Sequence, residues 1–184
     1  MQFQIISTGS SLAQYPGCMA RLLWGITSLL LIGLWVFSAI VYPQLPERIP
    51  AHFGGYGQVI RMDSRESFWF LPALVTFLVA VGFGLSRLVF AHPKLLNLPQ
   101  KEKFLELSPP KQRRVLARLD AWIALLFGLL VLGFGYLQWT SYRVATGGQA
   151  GLPVGFWIFP LAVLTWVSWM VWDTARTARL ETPR

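Results

Sequence analysis

Two histidines, a single cysteine and eight carboxylates are the side chains with which this chain could do chemistry. His52 follows a run containing Pro43, Pro46 and Pro50, and His92 precedes Pro93. An imidazole can serve as general base or metal ligand, but each role needs partners at suitable spacing. No HExxH and no Cys/His cluster is present. Cys18 alone makes neither an internal disulfide nor a Cys-rich metal motif. A nucleophile triad around His52 lacks a recognisable partner. The sequence therefore reads as non-enzymatic and names no cofactor and no metal. Two readings stay open for His52: a side chain ordering the proline-glycine loop, or a contact to a ligand or metal. Trp166, Trp169, Met170 and Asp173 are spaced by three and four, which gathers them roughly on one helix face. Core packing explains that face; a flat apolar ligand such as a quinone or a lipid is the alternative.

The elements that must position these residues are membrane spans. Leu22–Val41, Phe68–Ser86, Ala121–Trp139 and Val154–Trp172 form stretches of about 20 residues suited to crossing a bilayer, with charge confined to Arg87 and other flanks. Hydrophobic residues make up 54% of the chain and mean hydropathy is +0.50, beyond what a soluble domain of this size carries. The expected fold is an all-α membrane protein with four transmembrane helices, a Pro/Gly-rich external loop and a basic cytoplasmic loop. Residues 1–20 form a cytoplasmic tail, 21–173 the membrane domain and 174–184 a second cytoplasmic tail. The first span is too long for a cleaved signal peptide and stays as an anchor, and Tyr15-Pro16-Gly17-Cys18 is no lipidation site because no apolar stretch precedes it.

Charge sets the orientation. Arg21, the eight cations from Arg87 to Arg118, and Arg176, Arg179 and Arg184 share one side; only Arg48, Arg61, Arg65 and Arg143 lie on the other. The positive-inside rule places the basic side, and with it both termini, in the cytoplasm, which makes the location the bacterial cytoplasmic membrane. The net charge of +8 then reflects topology and anionic headgroups rather than nucleic acid. Trp24, Trp69, Trp122, Trp139, Trp157 and Trp172 fall near span ends, where indoles prefer the interface.

Within the loops, Pro43, Pro46 and Pro50 forbid a regular helix, and Gly54, Gly55 and Gly57 allow a tight turn. Ser67 is a plausible N-cap for the second span. Ser108-Pro109-Pro110 starts a helix expected to run to Trp139, its Val115, Leu116 and Leu119 stripe and neighbouring cations lying against headgroups. Residues 140–153 read as a simple connection. The apolar centres hold no charged side chain or histidine, which argues against a pump or ion-coupled transporter. Thr27, Ser28, Thr76, Thr165 and Ser168 are expected to bond between helices or back to their own helix. Ala80/Gly84 and Ala124/Gly128 are small-xxx-small pairs suited to close packing.

The string Leu45-Pro46-Glu47-Arg48-Ile49-Pro50-Ala51-His52-Phe53, with Gly57 and Arg65, resembles the hallmark of a bacterial membrane domain of unknown function. That domain lies at the N-terminus of SdpI-type immunity proteins. There an LP-acid-base-IP-x-H-F stretch follows the first span, a glycine comes five residues after the histidine, and a cation precedes the second span. The segment His92-Pro93 to Asn97-Leu98-Pro99 is similar to the family's continuation. Ile60 and Met62 depart from the acidic and aromatic residues frequent there. The resemblance implies resistance to a secreted toxin and recruitment of a repressor to the membrane. Its contact surface would be the external loop 42–67, with Pro46, Glu47, Arg48, Pro50, His52, Phe53, Gly57 and Arg65 facing an apolar peptide or membrane-protein partner. His92, Asn97, Arg113, Arg114 and Arg118 would face the cytoplasm. The other reading is a small accessory or assembly subunit of a larger membrane complex.

Overall fold

A computed structural model describes residues 17–96 and 101–181. Asn97 and most of the N-terminal tail lie outside these residues. The elements are α1 (Cys18–Val41), β1 (Arg48–Phe53), β2 (Val59–Ser64), α2 (Phe70–Ala91), α3 (Lys101–Glu106), α4 (Pro109–Ala145) and α5 (Ile158–Glu181). The segments containing α1, α2, α4 and α5 are long and apolar enough to cross a membrane. They run alternately up and down, so one end of the bundle carries the β-hairpin and the other the basic segment with α3.

α4 is the central element, packing against α1, α2 and α5. Trp24, Leu34, Val75, Val79, Ala124 and Val131 form the mid-bundle core. Small residues bring the helices together. Ala124 and Gly128 lie against α1, and a Cβ on Gly128 would stand 3.1 Å from Thr27 Oγ1. Ala80 and Gly84 instead are exposed, and nothing lies within 4 Å of a Cβ built on Gly84. On α2 the close approach is at Gly82, where the Phe127 ring occupies the space of a side chain. Small spacing alone does not say which face meets a neighbour. The mid-span hydroxyls of Ser28, Thr76, Thr165 and Ser168 donate to carbonyls four residues earlier in their own helices.

The loop 42–67 is not irregular: residues 48–64 form an antiparallel hairpin, so the fold is not purely helical. Pro50 opposes Met62 and His52 opposes Arg61, leaving Ala51 as an extra residue on β1. Such a bulge tolerates the missing N–H of Pro50. Ile49 and Pro50, which pair regularly with Asp63 and Met62 just before the bulge, are both buried. Ile49 joins Val41, Leu45 and Phe68 in a second core that fastens the hairpin to the helices. The proline run does exclude α-helix as expected, and the extended geometry it favours is used for a strand.

Other expectations need correction. A 3-10 turn, Arg65–Trp69, precedes α2, and the Ser67 hydroxyl donates to Ser64 O rather than capping the helix. α4 does start at Ser108-Pro109-Pro110, but it has 37 residues and continues beyond Trp139 to Ala145. Residues 146–153 are no simple connection: the Leu152 N–H donates to Gly57 O at 2.8 Å, seating this loop on the hairpin turn. At the basic end, Val115 and Leu116 do not face headgroups. They are 1% and 3% exposed, packed with Phe104 and Leu107 of the unforeseen α3 segment. Gln112 Nε2 donates to the carbonyls of Leu105 and Leu107, both at 3.0 Å, closing the end of α3.

Candidate functional site

Under the hairpin lies a cavity of about 490 Å³, within the range of small-molecule sites. Ile49, Pro50, Ala51 and Phe53 of β1 form its roof, and Phe68, Phe70 and Leu71 one wall. Leu137, Gln138 and Ser141 of α4 close it from below. The bulge at Ala51 shapes the roof by turning consecutive β1 residues toward the helices. His52, Arg61 and Asp63 supply the ionisable part of the lining, and Ser67, Gln138 and Ser141 the remaining polar groups. Arg61 Nη2 and Asp63 Oδ2 are 2.7 Å apart, so these two charges compensate each other. His52 is exposed.

Gln138 is the unusual member of this lining, since its side chain is 0% exposed. Nε2 donates to Phe68 O at 2.9 Å and to Ser38 Oγ at 3.2 Å. Ser38 Oγ in turn donates to Leu34 O. A carbonyl accepts only from the amino end of the carboxamide, which fixes the orientation and leaves Oε1 as the other end. Oε1 is buried and has no hydrogen-bond partner. An unfilled buried acceptor carries a desolvation penalty of about 1–3 kcal/mol.

The basic end carries two buried carboxylates. Asp120, 4% exposed, accepts from Trp24 Nε1 at 2.8 Å and Ser86 Oγ at 2.5 Å, and pairs with Arg87. It thereby ties α1 and α2 to α4. The Trp24 ring is held edge-on by Phe83 and stacked by Phe127. Asp173, 6% exposed, takes a bidentate pair from Arg118 at 2.7 and 2.8 Å and a bond from Trp122 Nε1 at 2.8 Å. It therefore fastens α5 to α4 and is not part of an open ligand face with Trp169. Trp166 packs edge-on against Trp122, while Trp169 lies against Trp172.

The residues singled out in the sequence are thus dispersed. Pro50, His52 and Phe53 share the cavity; Pro46, Glu47 and Arg48 are exposed at the entry to β1. Gly57 holds the turn with φ of 80°, and Leu152 O lies 1.9 Å from where its Cβ would be. Arg65 stacks over the Tyr42 ring and approaches Glu66. His92 ends α2 at the opposite end from His52, Arg113 is exposed, and Arg118 is engaged by Asp173. Asn97 lies outside the described residues. Among the described residues no group of three His, Cys, Asp or Glu side chains is placed to hold a metal ion.

Gln138, Ser141 and Asp120 escaped the sequence reading. Asp120 borders the third apolar stretch and looks like a flanking charge. Gln138 sits one residue before an interfacial tryptophan and looks like a span end. Their signal was a polar residue inside a helix that continues past both.

Comparison with known proteins centres on the hairpin. Residues 29–76 match the family described as Domain of unknown function (DUF1648). That stretch runs from mid-α1 through both strands into α2 and contains the cavity roof. Over 138 residues the chain is 28% identical to an uncharacterized protein of Archaeoglobus fulgidus, covering 71% of this chain and 73% of that one. No solved structure matches.

Proposed function

We propose that this chain is a non-catalytic membrane receptor of the immunity type, with the loop 42–67 outside the cell and both termini in the cytoplasm. The observation that carries this reading is the cavity: the loop residues of the SdpI-like string fold into a hairpin that roofs a space of about 490 Å³. A loop that merely joined two spans would need no bulged roof, no second core beneath it and no docked partner loop. The cavity walls are mainly apolar, which suits an apolar ligand arriving from the membrane surface. Toxin resistance would follow if capture removes the ligand from the bilayer.

The test uses Leu71→Trp, which fills the cavity from its wall. Cells expressing the native chain should survive an apolar peptide toxin better than cells carrying the variant at equal membrane abundance. Equal survival of the two would defeat the immunity reading.

One observation favours an accessory subunit instead. The fourth span buries none of its apolar window and contacts the bundle through α4, leaving Leu161 and Leu164 63% exposed. Gentle solubilisation and affinity isolation separates the two readings. A larger complex containing this chain at fixed ratio selects the subunit, and isolation alone or as a homo-oligomer selects the receptor.

A further inference from the structure

We infer that the open groove between α1 and α2 seats one acyl chain of a membrane lipid whose single phosphodiester sits on Arg21 and Arg87, in the leaflet at the end opposite the hairpin. This site lies apart from the cavity and does not rest on its reading as a receptor pocket. The two helices both lean on α4 and leave between them a space of about 350 Å³. Gly25, Ser28 and Leu31 of α1 and Thr76, Ala80 and Phe83 of α2 line it. From Thr76 to Phe83 the lining runs about 10 Å at about 1.5 Å per residue, against about 15 Å of hydrocarbon in one leaflet. Small side chains open the groove: Gly25, Ser28 and Ala80 are exposed, and nothing lies within 4 Å of a Cβ built on Gly25. Its two hydroxyls are satisfied within the protein. Ser28 Oγ donates to Trp24 O, and Thr76 Oγ1 donates to Pro72 O and accepts from Trp35 Nε1. The walls therefore offer contact to hydrocarbon and call for no polar group. Trp35, bonded to Thr76 and stacked on Trp69, bridges the two helices at the hairpin end.

The other end is charged. Arg21 stands one turn before Gly25, and Arg87 one turn after Phe83, with its guanidinium 5.1 Å over that ring. Both arginines are exposed. Arg21 Nε lies 3.4 Å from Gly17 O, and Arg87 pairs with Asp120. Two guanidiniums against one carboxylate leave one positive charge, which matches a phosphodiester at the hydrocarbon edge. A second copy fits this face less well. Chains of one orientation would pack it on itself about an axis along the membrane normal. Each copy's arginines would then stand level with the other's, and like charges repel. The cation beside the other groove on α1, between Leu30 and Phe37, is Arg143 over Trp139, and it already donates to Gly148 O.

The full chain is purified in detergent and titrated with phosphatidylglycerol, whose phosphodiester no headgroup cation neutralises, or with phosphatidylcholine of the same chains. Native mass spectrometry reads the first lipid retained. The native chain should hold phosphatidylglycerol about fivefold more tightly, as expected for one unbalanced cation near the membrane surface. Arg21→Gln should bring the two lipids within about twofold of each other, whereas Arg113→Gln, at an exposed cation of the same end, should leave the preference. Gly25→Leu takes the space of the acyl chain and should weaken the first site for both lipids at least about fivefold. Gly33→Leu, equally open but in the other groove, should not. Equal retention of the two lipids by the native chain would overturn the proposal. A preference unchanged in both Arg21→Gln and Gly25→Leu would place the lipid elsewhere on the basic end and reject this site. A concentration-dependent dimer that Gly25→Leu abolishes would give the groove to a second copy instead. The comparison of the two lipids in the native chain does not depend on the folding of any variant.

Discussion

Gly57 and Asp120 show how one side chain, or its absence, can hold distant segments together. At Gly57, φ is 80° and the backbone of Leu152 fills the place of a Cβ. Gly57→Ala combines left-handed backbone strain with a clash, a loss of about 2 kcal/mol or more. Gly55→Ala, with no positive φ and open space around its Cβ, should change stability by less than about 0.5 kcal/mol. Thermal unfolding of the two variants in the same detergent tests the contrast; similar melting points would mean that the loop 146–153 is not seated on the hairpin. Asp120 is the corresponding case at the basic end. Asp120→Ala leaves Trp24 Nε1 and Ser86 Oγ buried without their acceptor and should cost about 3–5 kcal/mol. Asp120→Asn keeps an acceptor for them and should cost less than half as much. Denaturant unfolding checks the order, and an Ala variant as stable as the Asn variant would remove Asp120 from its joining role.

At the scale of elements, the helices were legible and their partners were not. Apolar runs of bilayer length announce four spans, and Ser108-Pro109-Pro110 announces where α4 starts. The hairpin is not legible because prolines announce the break of a helix and not the strand that follows. The bulge at Ala51 that accommodates Pro50 is a property of pairing between strands, invisible along a single strand. α3 is not legible because six residues carry little periodicity, and an apolar stripe such as Val115 and Leu116 between cations suits headgroups as well as a packed partner. For the site, Pro50, His52 and Phe53 were legible through the loop string, whereas Gln138 comes from a helix 85 residues beyond Phe53 and meets the hairpin only through packing. The same limitation explains the small residues: Gly82 and Gly84 are indistinguishable in sequence, yet only Gly82 faces Phe127. Gly82→Leu should therefore destabilise the bundle by about 1–3 kcal/mol through overpacking, while Gly84→Leu should be nearly neutral in lipid. The attachment of α5 is open to a sharper test. Arg118→Ala takes the half-exposed cation away from the buried Asp173 carboxylate, a loss of about 1.5–3 kcal/mol, whereas Arg118→Leu with Asp173→Leu should recover most of it because the apolar replacement avoids the desolvation of the carboxylate. Unfolding in mixed micelles measures both, and a double variant as unstable as the single one would show that the pair contributes more than the desolvation it requires.

For the whole molecule, the two ends of α4 define a slab. Asp120 and Gln138 are separated by 18 positions along the helix, about 27 Å at about 1.5 Å per residue. This is close to the hydrocarbon thickness of a bilayer, about 30 Å. The buried polar networks therefore sit near the two edges of the apolar zone, where charged and amide groups can be reached by interfacial water before the helices pack. Between them the bundle relies on small-residue contacts and ring packing. This arrangement makes orientation the decisive property of the molecule, because it determines which face of the membrane supplies the cavity. In a Cys18→Ala background, Gly55→Cys places a thiol at the exposed hairpin tip and Lys94→Cys one at the exposed opposite end. A membrane-impermeant maleimide added to intact cells should label Gly55→Cys at least about tenfold faster than Lys94→Cys, following the distribution of basic residues. Permeabilisation should bring Lys94→Cys up to the same rate. The reverse pattern would open the cavity to the cytoplasmic leaflet, exclude a secreted toxin as its ligand, and redirect the search to amphiphiles made inside the cell.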